Sequence, residues 1–250
     1  MNAQGNRSTA VRERRHEPLE SVDDFPTPPW ATRAIINEVL RKQGLDFSSK
    51  TVWEPACNRG YMARPLAESF AHVATSDLVD YGWTGQQALG DFLSGRFSHP
   101  VTGERVTFDA PDWIITNPPF VHAAAFVRHA LSIAREGVAI ICRVAFLEGD
   151  ERYDELYAAH RPWIVAQHVE RVPMNRGNYN PANGTATAYS WFVWRKDWAE
   201  DHYLGMWVPK CRKRYELQSD VNFELRAGER PDFVARNIAE SPLFAYEGGS

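Results

Sequence analysis

Between residues 51 and 169 the chain alternates short apolar runs with stretches of helical periodicity, and few architectures accept that pattern. Strands are predicted at 51–53, 72–75, 112–116, 138–144 and 163–169, and another at 188–194. Helices are predicted at 61–70, 121–135 and 150–160. Parallel neighbours need crossovers of this length, and such crossovers place helices on both faces of a mostly parallel sheet. The expected class is therefore α/β. A helix at 29–42 precedes the alternation: Ile35 with Val39, and Ile36 with Leu40, are apolar pairs four apart. Pro29 suits its first turn and Gly44 ends it. No helical period separates the last two strands. Residues 171–187 are instead rich in Gly, Asn and Pro, so these strands are expected to pair antiparallel across a long loop. Residues 82–103 read as a loop-rich stretch.

Composition narrows the function classes. At 44% hydrophobic and 12% aromatic, with a net charge of −4 over 250 residues, the chain has enough apolar side chains for a sizeable core and is not disordered overall. Its apolar runs fall far short of the ~20 residues of a membrane helix, and residues 1–20 lack the apolar stretch of a signal peptide. Cys57, Cys142 and Cys211 form no CxxC pair, which fits a reducing cytoplasm and neither a disulfide framework nor a metal site. His122 and His129 share a helix without a Cys or carboxylate partner at ligand spacing, so no metal is expected. With a pI near 6.1, any nucleic-acid contact must come from local basic patches. Three regions follow: a flexible arm at 1–22 carrying Arg7, Arg12, Arg14 and Arg15, one domain at 23–200, and an extension at 201–250 that packs on or wraps the domain.

Three elements carry chemistry. Glu54-Pro55-Ala56-Cys57-Asn58-Arg59-Gly60 joins a strand to a helix, where small residues let a ligand approach backbone N–H donors. Neither GxxxxGK[ST] nor GxGxxG is present. Asp77 stands at the end of the next strand, where an acid commonly accepts ribose hydroxyls and otherwise serves as a turn cap. Asn117-Pro118-Pro119-Phe120 follows the 112–116 strand. By itself it could be a proline turn, but its place downstream of the other two elements points to a site.

In these elements the chain resembles the S-adenosylmethionine-dependent amino-methyltransferases, particularly the DNA adenine-N6 group with its phage-type enzymes. The resemblance covers residues 23–200 and rests on Asp24-Phe25-Pro26-Thr27-Pro28-Pro29-Trp30, 54–60, Asp77, Gly90-Asp91-Phe92 and 117–120, in that order. It implies a Rossmann-like class I methyltransferase fold, a seven-stranded mostly parallel sheet with a terminal antiparallel strand. It also implies S-adenosylmethionine as cofactor and DNA as substrate. Thr27 and Trp30 would lie near the methionine end of the donor, with Glu54, Ala56, Cys57 and Gly60 lining the turn. Asp77 would take the ribose, and Asp91 and Phe92 the donor's adenine. Asn58 stands where the family usually has glycine; asparagine tolerates a left-handed backbone better than other side chains.

The chemistry explains the residue types. An exocyclic amine is a weak nucleophile because its lone pair is delocalised into the ring. The Asn117 side-chain oxygen and the Pro118 carbonyl would accept its two N–H bonds, Pro119 would stiffen the turn, and Phe120 would stack on a flipped base. DNA contacts are expected from Arg176 and Tyr179 in the 171–187 loop and from Lys210, Arg212, Lys213 and Arg214. The same chemistry on RNA adenine or guanine, cytosine N4 or protein glutamine stays open, as does a non-catalytic binding module. With only ~50 residues beyond the last predicted strand, a separate recognition domain is not expected. Target choice would come from these short segments, a protein partner or self-association.

Overall fold

A computed structural model describes residues 24–177, 179–182 and 184–220, and the backbone of 244–246. The 1–22 arm lies outside the described residues, as does most of 221–250. Helix α1 starts at Pro29–Ala34 and continues through a π turn at Ile35–Leu40 and a 3-10 turn at Arg41–Gln43. Pro29 in the first turn sacrifices no intrahelical bond. Gly44 closes the helix at φ +83°, a left-handed cap.

The strands are β1 (Thr51–Glu54), β2 (His72–Asp77), β3 (Ala88–Asp91), β4 (Arg96–Ser98), β5 (Arg105–Phe108), β6 (Trp113–Thr116), β7 (Gly137–Arg143), β8 (Ile164–His168), β9 (Tyr189–Arg195), β10 (Leu204–Val208) and β11 (Phe244–Tyr246). They form one sheet in the order β10-β8-β9-β7-β6-β1-β2-β3-β4-β5-β11. Its centre, β3-β2-β1-β6-β7, is parallel throughout. β9 runs antiparallel between β7 and β8. The fold is Rossmann-like, a mostly parallel sheet whose late antiparallel strand is inserted near one end.

Helices cover both faces. Residues alternate along β7: Ala139 and Ile141 join the core under α1 and α2 (Ala63–Ala67), whereas Val138 and Ile140 join the core under α3 (Ala123–Ile133). A strand buried on both faces reads as a continuous apolar run, which is how β7 appears in the sequence. The predicted 150–160 helix is α4 (Asp150–Arg152), continued as a π turn at Tyr153–Tyr157.

Two expectations are corrected. The 82–103 stretch holds β3 and β4, a tight antiparallel pair. Gly90 makes that closeness possible, since a Cβ there would sit 2.0 Å from the Arg96 carbonyl oxygen. The sheet also continues past residue 200, because β10 pairs in parallel with β8. Helix α5 (Arg212–Tyr215) then returns against α1. Among the described residues no helix is long and apolar enough to cross a membrane.

Candidate active site

β1, β2, β3 and β6 run in the same direction, so Glu54, Asp77, Asp91 and the turn after Thr116 all lie at one edge, the carboxyl ends of the strands. In open α/β sheets that edge is where ligands bind.

At the end of β6, the Asn117 side-chain amide donates from Nδ2 to the Phe25 carbonyl at 2.8 Å, with Met174 Sδ 3.8 Å away. A carbonyl can only accept, so this contact fixes which end of the amide is nitrogen. The other end, Oδ1, is buried and has no hydrogen-bond partner among the described residues. Leaving such an acceptor unmatched costs about 1–3 kcal/mol, so it marks a place for a donor. Pro118 is buried, and the Pro119 carbonyl accepts from His122 N–H at 2.9 Å, which starts the helix that follows. Phe120 is half-buried, 5.9 Å from Phe25 and 6.3 Å from Tyr189 between ring centroids. The exposed Arg143 guanidinium lies 4.8 Å from its ring.

The turn after β1 is held to β2. Cys57 N–H donates to the Ser76 carbonyl at 3.0 Å, and Asn58 N–H to Asp77 Oδ2 at 2.8 Å. Asn58 is left-handed at φ +49°. Gly60, at φ +79°, has no room for a Cβ, which would come 2.5 Å from the Trp83 indole. Glu54 is 2% exposed, and its Oε2 has no partner. Burial, then the charge of Asp77, pushes its carboxyl well above the usual carboxylate range. Burial likewise lifts Asp77 from 3.8 to about 6, against N–H bonds from Val79, Asn58 and Leu78. Burial, with Asp77 and Glu54 nearby, raises the Cys57 thiol, which keeps it from acting as a thiolate. Ala56 is half-buried beside it. Thr27 and Trp30 are buried, with Thr27 Oγ1 and Trp30 Nε1 unpartnered. The unmatched oxygens of Glu54 and Thr27, beside the hydrogen-bonded Asp77 carboxyl, suit a ligand that donates hydrogen bonds.

Other expected residues fall elsewhere. Asp91 is exposed and caps its own turn, accepting from Leu93 N–H at 3.0 Å. Phe92 belongs to the core, 5.1 Å from Trp53, 4.9 Å from Phe126 and 4.8 Å from His129, which corrects its expected packing on a ligand ring. Tyr179 is also corrected: it is 5% exposed, sits edge-on to Tyr61, and donates its hydroxyl to Glu216. A buried ring cannot present a face to nucleic acid. In the basic cluster, Arg212 pairs with Glu216 at 2.9 Å and Arg214 with Glu38 at 2.7 Å. These arginines fasten α5 within the chain instead of forming a free phosphate patch. Lys210, Lys213 and Arg176 are exposed. No role was legible in the sequence for Asp24, Phe25, Arg59, Arg143 or Met174; Asp24, Phe25 and Arg59 stood inside motifs, and Arg143 and Met174 carried no local signal.

No family model and no curated protein matches the chain. Among solved structures, it is similar to a protein from Listeria monocytogenes assigned as a class I S-adenosylmethionine-dependent methyltransferase, with 11% identity, a TM-score of 0.47, and coverage of 72% of this chain and 65% of that one. A protein from Pyrococcus horikoshii assigned as an RNA methyltransferase shares 13% identity at a TM-score of 0.46, over 72% of this chain and 91% of that one. Magnesium protoporphyrin IX methyltransferase from Synechocystis, with S-adenosylhomocysteine bound, shares 12% identity at a TM-score of 0.42, over 67% of this chain and 82% of that one. These are likenesses of chain path, and the functional reading rests on the residues of the site.

Proposed function

We propose that this chain is a methyltransferase that uses S-adenosylmethionine to methylate the exocyclic N6 amine of adenine in DNA. The observation that carries the proposal is the buried, unpartnered Oδ1 of Asn117, aimed by the Phe25 carbonyl's hold on the amide nitrogen.

When bound, S-adenosylmethionine supplies an activated methyl group on a cationic sulfur. Glu54, Thr27 and Asp77 are the acceptors that would hold it, and the unmatched atoms of the first two fit a group rich in donors. Asn117 Oδ1 and the Pro118 carbonyl would accept the two N–H bonds of the target amine, orienting its lone pair and stabilising charge as the new N–C bond forms. Because both acceptors sit in a proline-stiffened turn, little reorganisation is needed at the moment of reaction. Phe120 would support a base extruded from the duplex, with Arg143 beside it. Target choice falls to the exposed cations Arg143, Arg176, Lys210 and Lys213, together with a partner or a second copy of the chain.

The test is incubation of the chain with donor labelled at its methyl group and unmodified duplex DNA, followed by nucleoside analysis. N6-methyladenine is the expected product. Asn117→Ala should lower kcat by roughly 10²–10³, as loss of a transition-state hydrogen-bonding group does, while donor affinity by calorimetry holds. Label found only in cytosine, RNA or protein overturns the substrate. Undiminished product from Asn117→Ala overturns the role of the amide.

A further inference from the structure

Three residues outside the acceptor turn form a hydrogen-bonded clasp across the site. Asp24 Oδ1 accepts from Asn58 Nδ2 at 2.7 Å and from Arg59 Nη1 at 3.1 Å. The same Arg59 nitrogen donates to the Gly177 carbonyl at 3.0 Å, and Gly177 N–H donates to the Asp24 carbonyl at 2.9 Å. The residue after Asp24 is Phe25, whose carbonyl holds the Asn117 amide. On its other side Asn58 gives its backbone N–H to Asp77. Asn58 therefore links the acid at the end of β2, through its backbone, to the segment that aims Asn117, through its side chain.

The backbone points the same way. At φ +49° a glycine would be less strained than an asparagine, so the side chain is kept for what it touches. The Asp24 and Arg59 side chains are 15% and 31% exposed, sheltered enough for their pairing to hold a fixed geometry. We propose that Asn58, with Asp24 and Arg59, is a positioning network for methyl transfer. It fixes residues 24–25 and, through the Phe25 carbonyl, the direction of Asn117 Oδ1. This inference rests on the reading of the site given above.

Asn58→Gly tests it, because glycine adopts the same turn and the fold survives. The expected result is a drop in kcat of about tenfold, the scale of a small misplacement, with donor Kd and the KM for DNA unchanged. Asp24→Asn should act alike, and the double variant should be no worse than the poorer single one, because the two share one network. A second readout needs no turnover: the side-chain amide NMR resonance of Asn117, assigned by its loss in Asn117→Ala, should shift in Asn58→Gly. If the parent chain methylates no DNA, the functional reading fails while this shift still reports the clasp. Wild-type kcat with an unmoved resonance overturns the clasp. So does a parallel loss of kcat and donor affinity, which would make Asn58 merely part of the donor turn.

Discussion

Asp77 offers a test of the site that begins with stability. It is 8% exposed, and burial lifts its pKa from 3.8 to about 6, the charge of Asp24 adding to the effect. The folded chain thus holds this proton more tightly than the unfolded chain does. The stabilisation is complete below pH 3.8 and is lost as pH rises through about 6. A change from 3.8 to about 6 corresponds to about 3 kcal/mol. Chemical denaturation of the parent and of Asp77→Asn, which keeps the shape without the charge, measures it. The parent's stability relative to the variant should fall by about 2.5 kcal/mol between pH 4 and 7 and then level off. With Asp77 in the proposed donor site, donor binding should have the opposite sign, since the ionised carboxylate is the better acceptor. At pH 5 about a tenth of Asp77 is ionised, so donor affinity should be roughly tenfold weaker than at pH 8, and binding should release protons. Calorimetry in two buffers of different ionisation enthalpy reads that release. A stability difference between parent and Asp77→Asn that stays constant from pH 4 to 8 would show that folding does not raise the affinity of Asp77 for its proton.

Arg33 is 6% exposed and grips Asp220 at 2.7 and 3.0 Å as well as Glu68 at 2.7 Å, so Asp220→Ala should cost about 3–5 kcal/mol by leaving a buried cation short of a partner. In denaturation curves Arg33→Met with Asp220→Leu should cost less than Asp220→Ala alone, and the reverse order would contradict this account. Arg143→Ala should weaken DNA binding and lower the slope of log affinity against log salt by about 1, read by mobility shift over a salt series. An unchanged slope would remove Arg143 from the proposed DNA surface.

What the sequence disclosed depended on how local each signal was. β6 and β7 are buried apolar runs, and β1 and β2 are short buried strands spaced by a helix, so their type and order follow from the residues alone. β3 and β4 are four and three residues long, and Gly90 and Gly95 read as turn residues. Their membership in the sheet comes from pairing that no local pattern displays. β10 is only partly buried, with Trp207 70% exposed, so its alternation is weak. At the site, Glu54, Asp77 and Asn117 stand out because each ends a legible strand. Tyr179 and Arg214 misled for the opposite reason. Whether a loop ring or a surface cation is free depends on Glu216 and Glu38, and Glu38 lies 176 positions from Arg214.

The inserted antiparallel strand accounts for how the site closes. Had β9 followed β8 in parallel, a helical crossover would have carried the chain away from the carboxyl edge. Because β9 is antiparallel to both β7 and β8, residues 169–188 stay at that edge, where β8 ends and β9 begins. Met174 and Gly177 lie in this connection, and they are the residues that approach Asn117 and Arg59. The connection also accepts the entry segment, through Gly177 N–H and the Asp24 carbonyl. The topology thus brings together three pieces remote in sequence around one amide: the segment at 24–25, the turn at 58–60 and the loop at 174–177. That convergence explains why Asn117 keeps an oriented and unmatched oxygen in a position where an isolated proline turn would leave it to water.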